Sequence, residues 1–90
     1  MSLTHRLIKN NKLGRFRKER DLRQRDVAYL LSKSVKDINR WEQGTRTPTL
    51  KNAIKLSIAL NCPIEVLYFD YYAHVRKEIK QKKKQIIRNI

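Results

Sequence analysis

Acidic residues are scarce in this chain of 90 amino acids, where 8 Asp and Glu stand against 22 Lys and Arg and the formal net charge is +14. An excess of that size in so short a chain points to a polyanionic partner, the alternative being a merely solvated basic surface. Glycine and proline are equally rare, two of each, which leaves no linker composition and no glycine-rich loop to cradle a phosphate. The single cysteine, Cys62, excludes an internal disulfide and lacks the companions of a zinc or redox motif, so a reduced, intracellular setting is expected. His5 and His74 have no Cys or acidic residues at ligand spacing, and neither metal nor cofactor is expected. No stretch approaches the roughly 20 apolar residues that span a bilayer, and the N-terminal MSLTHRLIKN lacks the apolar run of a secretory signal. The expectation is a cytoplasmic protein without a membrane partner. Nothing resembles a nucleophile with its base or a pair of catalytic carboxylates, so enzymatic activity is not expected.

What is present is helical punctuation. Ninety residues suffice for one modest core. Residues 1–11 show little periodicity and are read as an N-terminal arm without assigned fold. From Lys12 to Arg20, Leu13 and Phe16 make one apolar stripe among good helix formers. In the segment from Gln24 to Leu31, Val27, Ala28 and Leu31 share a face. Ser34 is expected to cap a further helix, Val35 to Gln43, which Gly44 stops. Two short helices separated by a three-residue turn make a helix-turn-helix pattern. After a loop, Thr49 caps a helix to Leu60 whose stripe reads Leu50, Ala53, Ile54, Ser57 and Ile58, with Asn61 as a left-handed stop. Pro63 suits the first position of a short helix through Leu67. Tyr72, Val75, Ile79, Ile86 and Ile90 then keep roughly heptad spacing through a Lys-rich stretch, with Lys82 interrupting the seam. The fold class is therefore all-α: a five-helix domain over residues 12–70 and a basic, helical C-terminal extension over 71–90.

Charge is unevenly placed on this frame. Residues 1–40 carry 12 basic and 4 acidic side chains, residues 41–73 three of each, and residues 74–90 seven basic and one acidic. On the helix from Val35 to Gln43, a step of about 100° per residue puts Lys36, Asn39 and Arg40 within about 140° of Val35, with Ile38 and Trp41 opposite. Lys, Asn and Arg supply the donors and acceptors that major-groove edges require, and Val35 could meet a thymine methyl. The same face could equally be an ordinary solvated surface.

Residues 13–67 resemble the Cro and phage-repressor type of helix-turn-helix, the XRE family. The match is densest from Gln24 to Gly44, where Gln24, Ala28, Leu31, Ile38, Arg40-Trp41-Glu42 and Gly44 stand at the family's spacing without a gap, and Arg46, Pro48 and Leu50 extend it. The resemblance implies double-stranded DNA as partner, base contacts from Val35, Lys36, Asn39 and Arg40, and phosphate contacts from Gln24, Arg46 and Thr47, to which Arg23 and Ser34 are added. It also implies a largely buried ion pair between Arg17 and Glu42, where Arg17 read alone could instead meet a phosphate. Three positions depart from the family. Ser32 stands where the turn usually has Gly; Arg23 stands where Ser or Thr caps the second helix; and Asp37 beside the reading face could accept from a cytosine or serve its own helix N-terminus.

The reading is a transcriptional regulator of repressor type acting as a homodimer on a palindromic operator, with no small-molecule effector evident. Alternatives are an antitoxin-like autoregulator, an adaptor that uses the fold for protein contacts, or a basic surface drawn to RNA or anionic membrane. The aromatic cluster Tyr68, Phe69, Tyr71 and Tyr72 is expected in the core or a dimer contact rather than as a base-stacking platform. For the stretch Arg76 to Arg88 three readings stand open: phosphate contact, dimerisation arm and solvated charge run.

Overall fold

The computed structural model describes residues 2–88, which form seven helices: α1 (Leu3–Lys9), α2 (Leu13–Glu19), α3 (Gln24–Leu31), α4 (Val35–Gln43), α5 (Leu50–Ala59), α6 (Ile64–Leu67) and α7 (Phe69–Arg88). The described residues contain no strand. α3 packs on α4 and α5, and α2 closes the other side of α4. The core they enclose is built from Leu13, Val27, Ala28, Leu31, Ile38, Trp41, Leu56, Leu60 and Leu67. Burying a side chain of the size of Leu or Ile contributes about 1.5–3 kcal/mol, so this small set supplies the main force holding the helices together.

The boundaries of α3 and α4 follow from local chemistry. Ser34 is extended and its hydroxyl accepts from the Asp37 N–H at 3.2 Å, while the Asp37 carboxylate accepts from the Ser34 N–H at 3.4 Å. That reciprocal box satisfies two otherwise orphaned donors. Arg23 has no acceptor to cap α3. Instead the Asp26 carboxylate accepts from the Arg23 N–H at 2.7 Å and from its guanidinium. The backbone bond first, and the guanidinium second, hold the Asp26 carboxyl below its ordinary range. Its contribution is therefore present above the usual carboxylate pKa and fades as acid protonates it.

α3 ends on Ser32 in the left-handed region, φ 56° and ψ 45°, with the Lys33 N–H donating to the Ala28 carbonyl at 2.8 Å. A non-glycine residue there costs about 1 kcal/mol. Ser32→Gly is therefore expected to raise stability by about 0.5–1 kcal/mol, a gain of a few degrees in Tm for a domain of this size. Thermal unfolding checks it, and an unchanged midpoint would show that the turn carries no strain. Asn61, φ 46°, is left-handed after α5 as its position predicts.

Three features differ from the sequence reading. Residues 3–9, given no fold, form α1, with Ser2 accepting from the His5 N–H at 3.1 Å. Its stability is long-range, because α1 packs on α7 and the Asn10 amide donates to the Asp70 carboxylate. Second, Pro63 is the N-cap of α6 rather than its first helical residue. Third, α5 turns its longer apolar stripe outward: Leu50, Ile54 and Ile58 are 78%, 52% and 74% exposed, while Leu56, Leu60 and Asn52 are buried. The helix is apolar on two sides. Lys55 lies on the inward flank and donates to the Leu31 carbonyl at the end of α3 at 3.0 Å, which helps fix the buried side.

The aromatic cluster is divided: Tyr68 is buried, whereas Phe69 and Tyr72 are exposed and Tyr71 is half-buried. The Tyr68 hydroxyl has no hydrogen-bond partner among the described residues. Burial pushes its pKa well up, so it stays a neutral phenol. α7 is one continuous helix, about 30 Å long at 1.5 Å per residue. Ile90, the last residue of the predicted seam, lies outside the described residues.

Candidate nucleic-acid interface

The surface carrying the predicted contacts is assembled by α3, α4 and the loop that follows α4. Val35, Lys36, Asn39 and Arg40 are all exposed on α4, opposite buried Ile38 and Trp41. Gln24 opens α3 beside them. Its side-chain amide donates to the Asn39 carbonyl oxygen at 3.3 Å and to Glu42 Oε1 at 3.2 Å. Two helices are thus joined side chain to side chain at the edge of the polar face. The Asp37 carboxylate is turned back to the Ser34 hydroxyl and backbone, so it serves its own helix N-terminus.

Beneath this face lies an ion pair. Arg17 from α2 and Glu42 from α4 meet in a two-pronged contact, Nε to Oε2 at 2.7 Å and Nη2 to Oε1 at 3.2 Å, with each side chain only 11% exposed. The third guanidinium nitrogen donates to the Leu22 carbonyl at 2.8 Å. Paired donors on paired acceptors fix orientation as well as charge. A Cβ at Gly14 would stand 3.0 Å from Glu42 Oε1, so the glycine leaves the room the carboxylate occupies. Arg17 is spent here and is not offered to a phosphate.

On the other flank of α4, a polar hollow of about 250 Å³ is bordered by Lys33, Asp37, Arg40, Arg46 and Thr47, among others. Arg40 therefore borders both the α4 face and the loop. The Arg40 carbonyl accepts from the N–H groups of Thr45 at 3.0 Å and Arg46 at 3.4 Å, which holds the loop against the end of the helix. Arg23, Ser34, Arg46 and Thr47 are all exposed. Arg23 and Ser34 stand one residue before α3 and α4, and Arg46 and Thr47 lie beyond α4.

Sequence reasoning missed Asn11, a positioning residue that fell within the unassigned arm. Its amide donates to the Ile8 carbonyl at 2.9 Å and to the Trp41 carbonyl at 3.0 Å, and its oxygen accepts from the Leu13 N–H at 3.0 Å. One side chain thus ties the ends of α1 and α4 to the start of α2. An Asn two residues before a helix is a weak signal for such a role, because its partners are 30 residues away in sequence. Among the described residues no group of His, Cys, Asp or Glu is placed to hold a metal ion, and no helix is long and apolar enough to cross a membrane.

Residues 13–67, 55 of the 90, match the family model described as helix-turn-helix. No curated protein matches the chain.

Proposed function

Because the chain belongs to the Cro/C1-type helix-turn-helix (XRE) family of DNA-binding regulators, we propose that it is a repressor-like, sequence-specific regulator that acts in the cytoplasm on a palindromic operator. In this reading Val35, Lys36, Asn39 and Arg40 meet base edges in the major groove, and Gln24, Arg23, Ser34, Arg46 and Thr47 meet phosphates. The observation that carries it is the exposed polar side of α4, backed by buried Ile38 and Trp41 and joined through Asn39 to Gln24 at the start of α3. A helix with one apolar side in the core and one donor-rich side outward is what a reading helix requires. A homodimer is supported by the outward stripe of Leu50, Ile54 and Ile58, since exposed apolar patches of this kind mark association surfaces. The same stripe would suit the partner protein of an antitoxin-like autoregulator.

Selection of bound sequences from random duplexes, followed by footprinting, tests the proposal. Two related half-sites about one helical turn apart support a homodimer on an operator. Equal affinity for the selected and shuffled duplexes would overturn it. At residue level, Arg40→Ala is expected to cost roughly 1–3 kcal/mol of binding and to relax one base position. Arg46→Ala should weaken all sequences alike and lower the salt slope by about one. Identical behaviour of the two variants would remove Arg40 from base reading.

A further inference from the structure

α7 carries more charge than its packing uses. Its first turns lie on the body, where the Asn10 amide meets Asp70 and the Lys12 ammonium stands over the Phe69 ring at 5.3 Å. Beyond Val75 it bears Arg76, Lys77, Lys80, Lys82, Lys83 and Lys84, all exposed. At 100° per residue, Arg76, Lys77, Lys80, Lys83 and Lys84 fall within about 120° of the circumference. Among the described residues none of these five forms an ion pair. The only acid after residue 73, Glu78, is bound to His74 at 2.8 Å. Tyr72 and Val75 line an apolar groove of about 440 Å³ together with Thr47 and Pro48 of the loop after α4. From there a furrow bordered by Tyr72, Val75, Arg76, Ile79, Lys80 and Lys83 continues along the helix. The cationic stripe therefore begins beside the loop that holds Arg46 and Thr47.

We propose that α7 lies along the phosphate backbone of the DNA flanking each half-site, prolonging the track begun by Arg46 and Thr47. The inference rests on the proposed DNA-binding function. Charge complementarity chooses this occupant. A second copy seated on the Tyr72, Val75, Ile79 seam would bring two strongly positive helices side by side, and a seam about 60° wide, interrupted at Lys82, is narrow for insertion into lipid.

The test uses the full chain with Arg76, Lys77, Lys80, Lys83 and Lys84 all changed to Gln, and helical content checked by circular dichroism. Affinity is measured between 50 and 300 mM KCl on a selected duplex with and without flanking base pairs. Each lost phosphate contact flattens log Kd against log salt by about 0.9. The variant is expected to lose about 4 units of slope per bound protomer while keeping its site preference, and removing the flanks should weaken the wild type but not the variant. An unchanged slope, or flank-independent binding by the wild type, overturns the proposal. A variant that keeps its slope but no longer sediments as a dimer assigns α7 to self-association instead. A wild type that ignores sequence defeats the operator reading, not the α7 contact, which the slope on shuffled DNA still reports.

Discussion

Glu42→Ala is expected to destabilise the fold by about 3 kcal/mol, at the lower end of the range for breaking a buried ion pair, because both partners keep 11% of their side-chain surface in solvent. The loss is mostly the cost of what remains. Arg17 keeps only its bond to the Leu22 carbonyl, and its charge is left half-satisfied between α2 and α4. The Gln24 amide loses one of its two acceptors as well. Urea denaturation measures the effect. A double replacement, Arg17→Met with Glu42→Leu, removes both charges and is expected to recover most of the loss, since apolar substitutes of similar volume often match a buried pair. A loss below about 1 kcal/mol for Glu42→Ala would put the pair in the class of solvent-screened surface bridges.

Gly44→Ala is expected to cost roughly 2–4 kcal/mol, from two sources that can be separated. Gly44 has φ 74°, where a side chain costs about 1 kcal/mol. The remainder is steric: an added Cβ would stand 2.4 Å from the Lys9 Cα, an overlap with backbone that no rotamer change relieves. α1 would have to lift, loosening half-buried Ile8 and the contact with α7, and such overpacking costs about 1–3 kcal/mol. In a chain lacking residues 1–9 the same substitution should cost only the conformational part. An equal penalty in both backgrounds would show that α1 is not what Gly44 accommodates.

Legibility in the sequence depended on whether the deciding interaction was local. α3 and α4 were readable to the residue, because Ser34, Gly44 and the face of Val27, Ala28 and Leu31 act within a turn or two of where they stand. α1 was invisible because what holds it lies far away in the chain: Gly44 beneath Lys9, Asn11 on Trp41, and Asp70 against Asn10. The buried side of α5 was misread because Leu50, Ile54 and Ile58 make a longer repeat than Leu56 and Leu60, and periodicity cannot tell a core stripe from an exposed one on a helix apolar on both sides. The donors of the α4 face were readable from spacing. The hydrogen bonds of Gln24 to Asn39 and Glu42 were not, since they depend on which way three side chains turn.

Those two bonds bear on how such a regulator could drift toward new operators. Val35, Lys36 and Arg40 have no side-chain bond to the scaffold among the described residues, so on the proposed reading they can be exchanged at little structural cost. Asn39 is different: its partner Gln24 also holds Glu42, and Glu42 holds Arg17. A change at Asn39 frees an amide that then competes for the carboxylate of the ion pair. Three letters of the reading face are therefore interchangeable type, whereas the fourth is set in the same block as the frame, and lineages that alter it should carry a compensating change at Gln24.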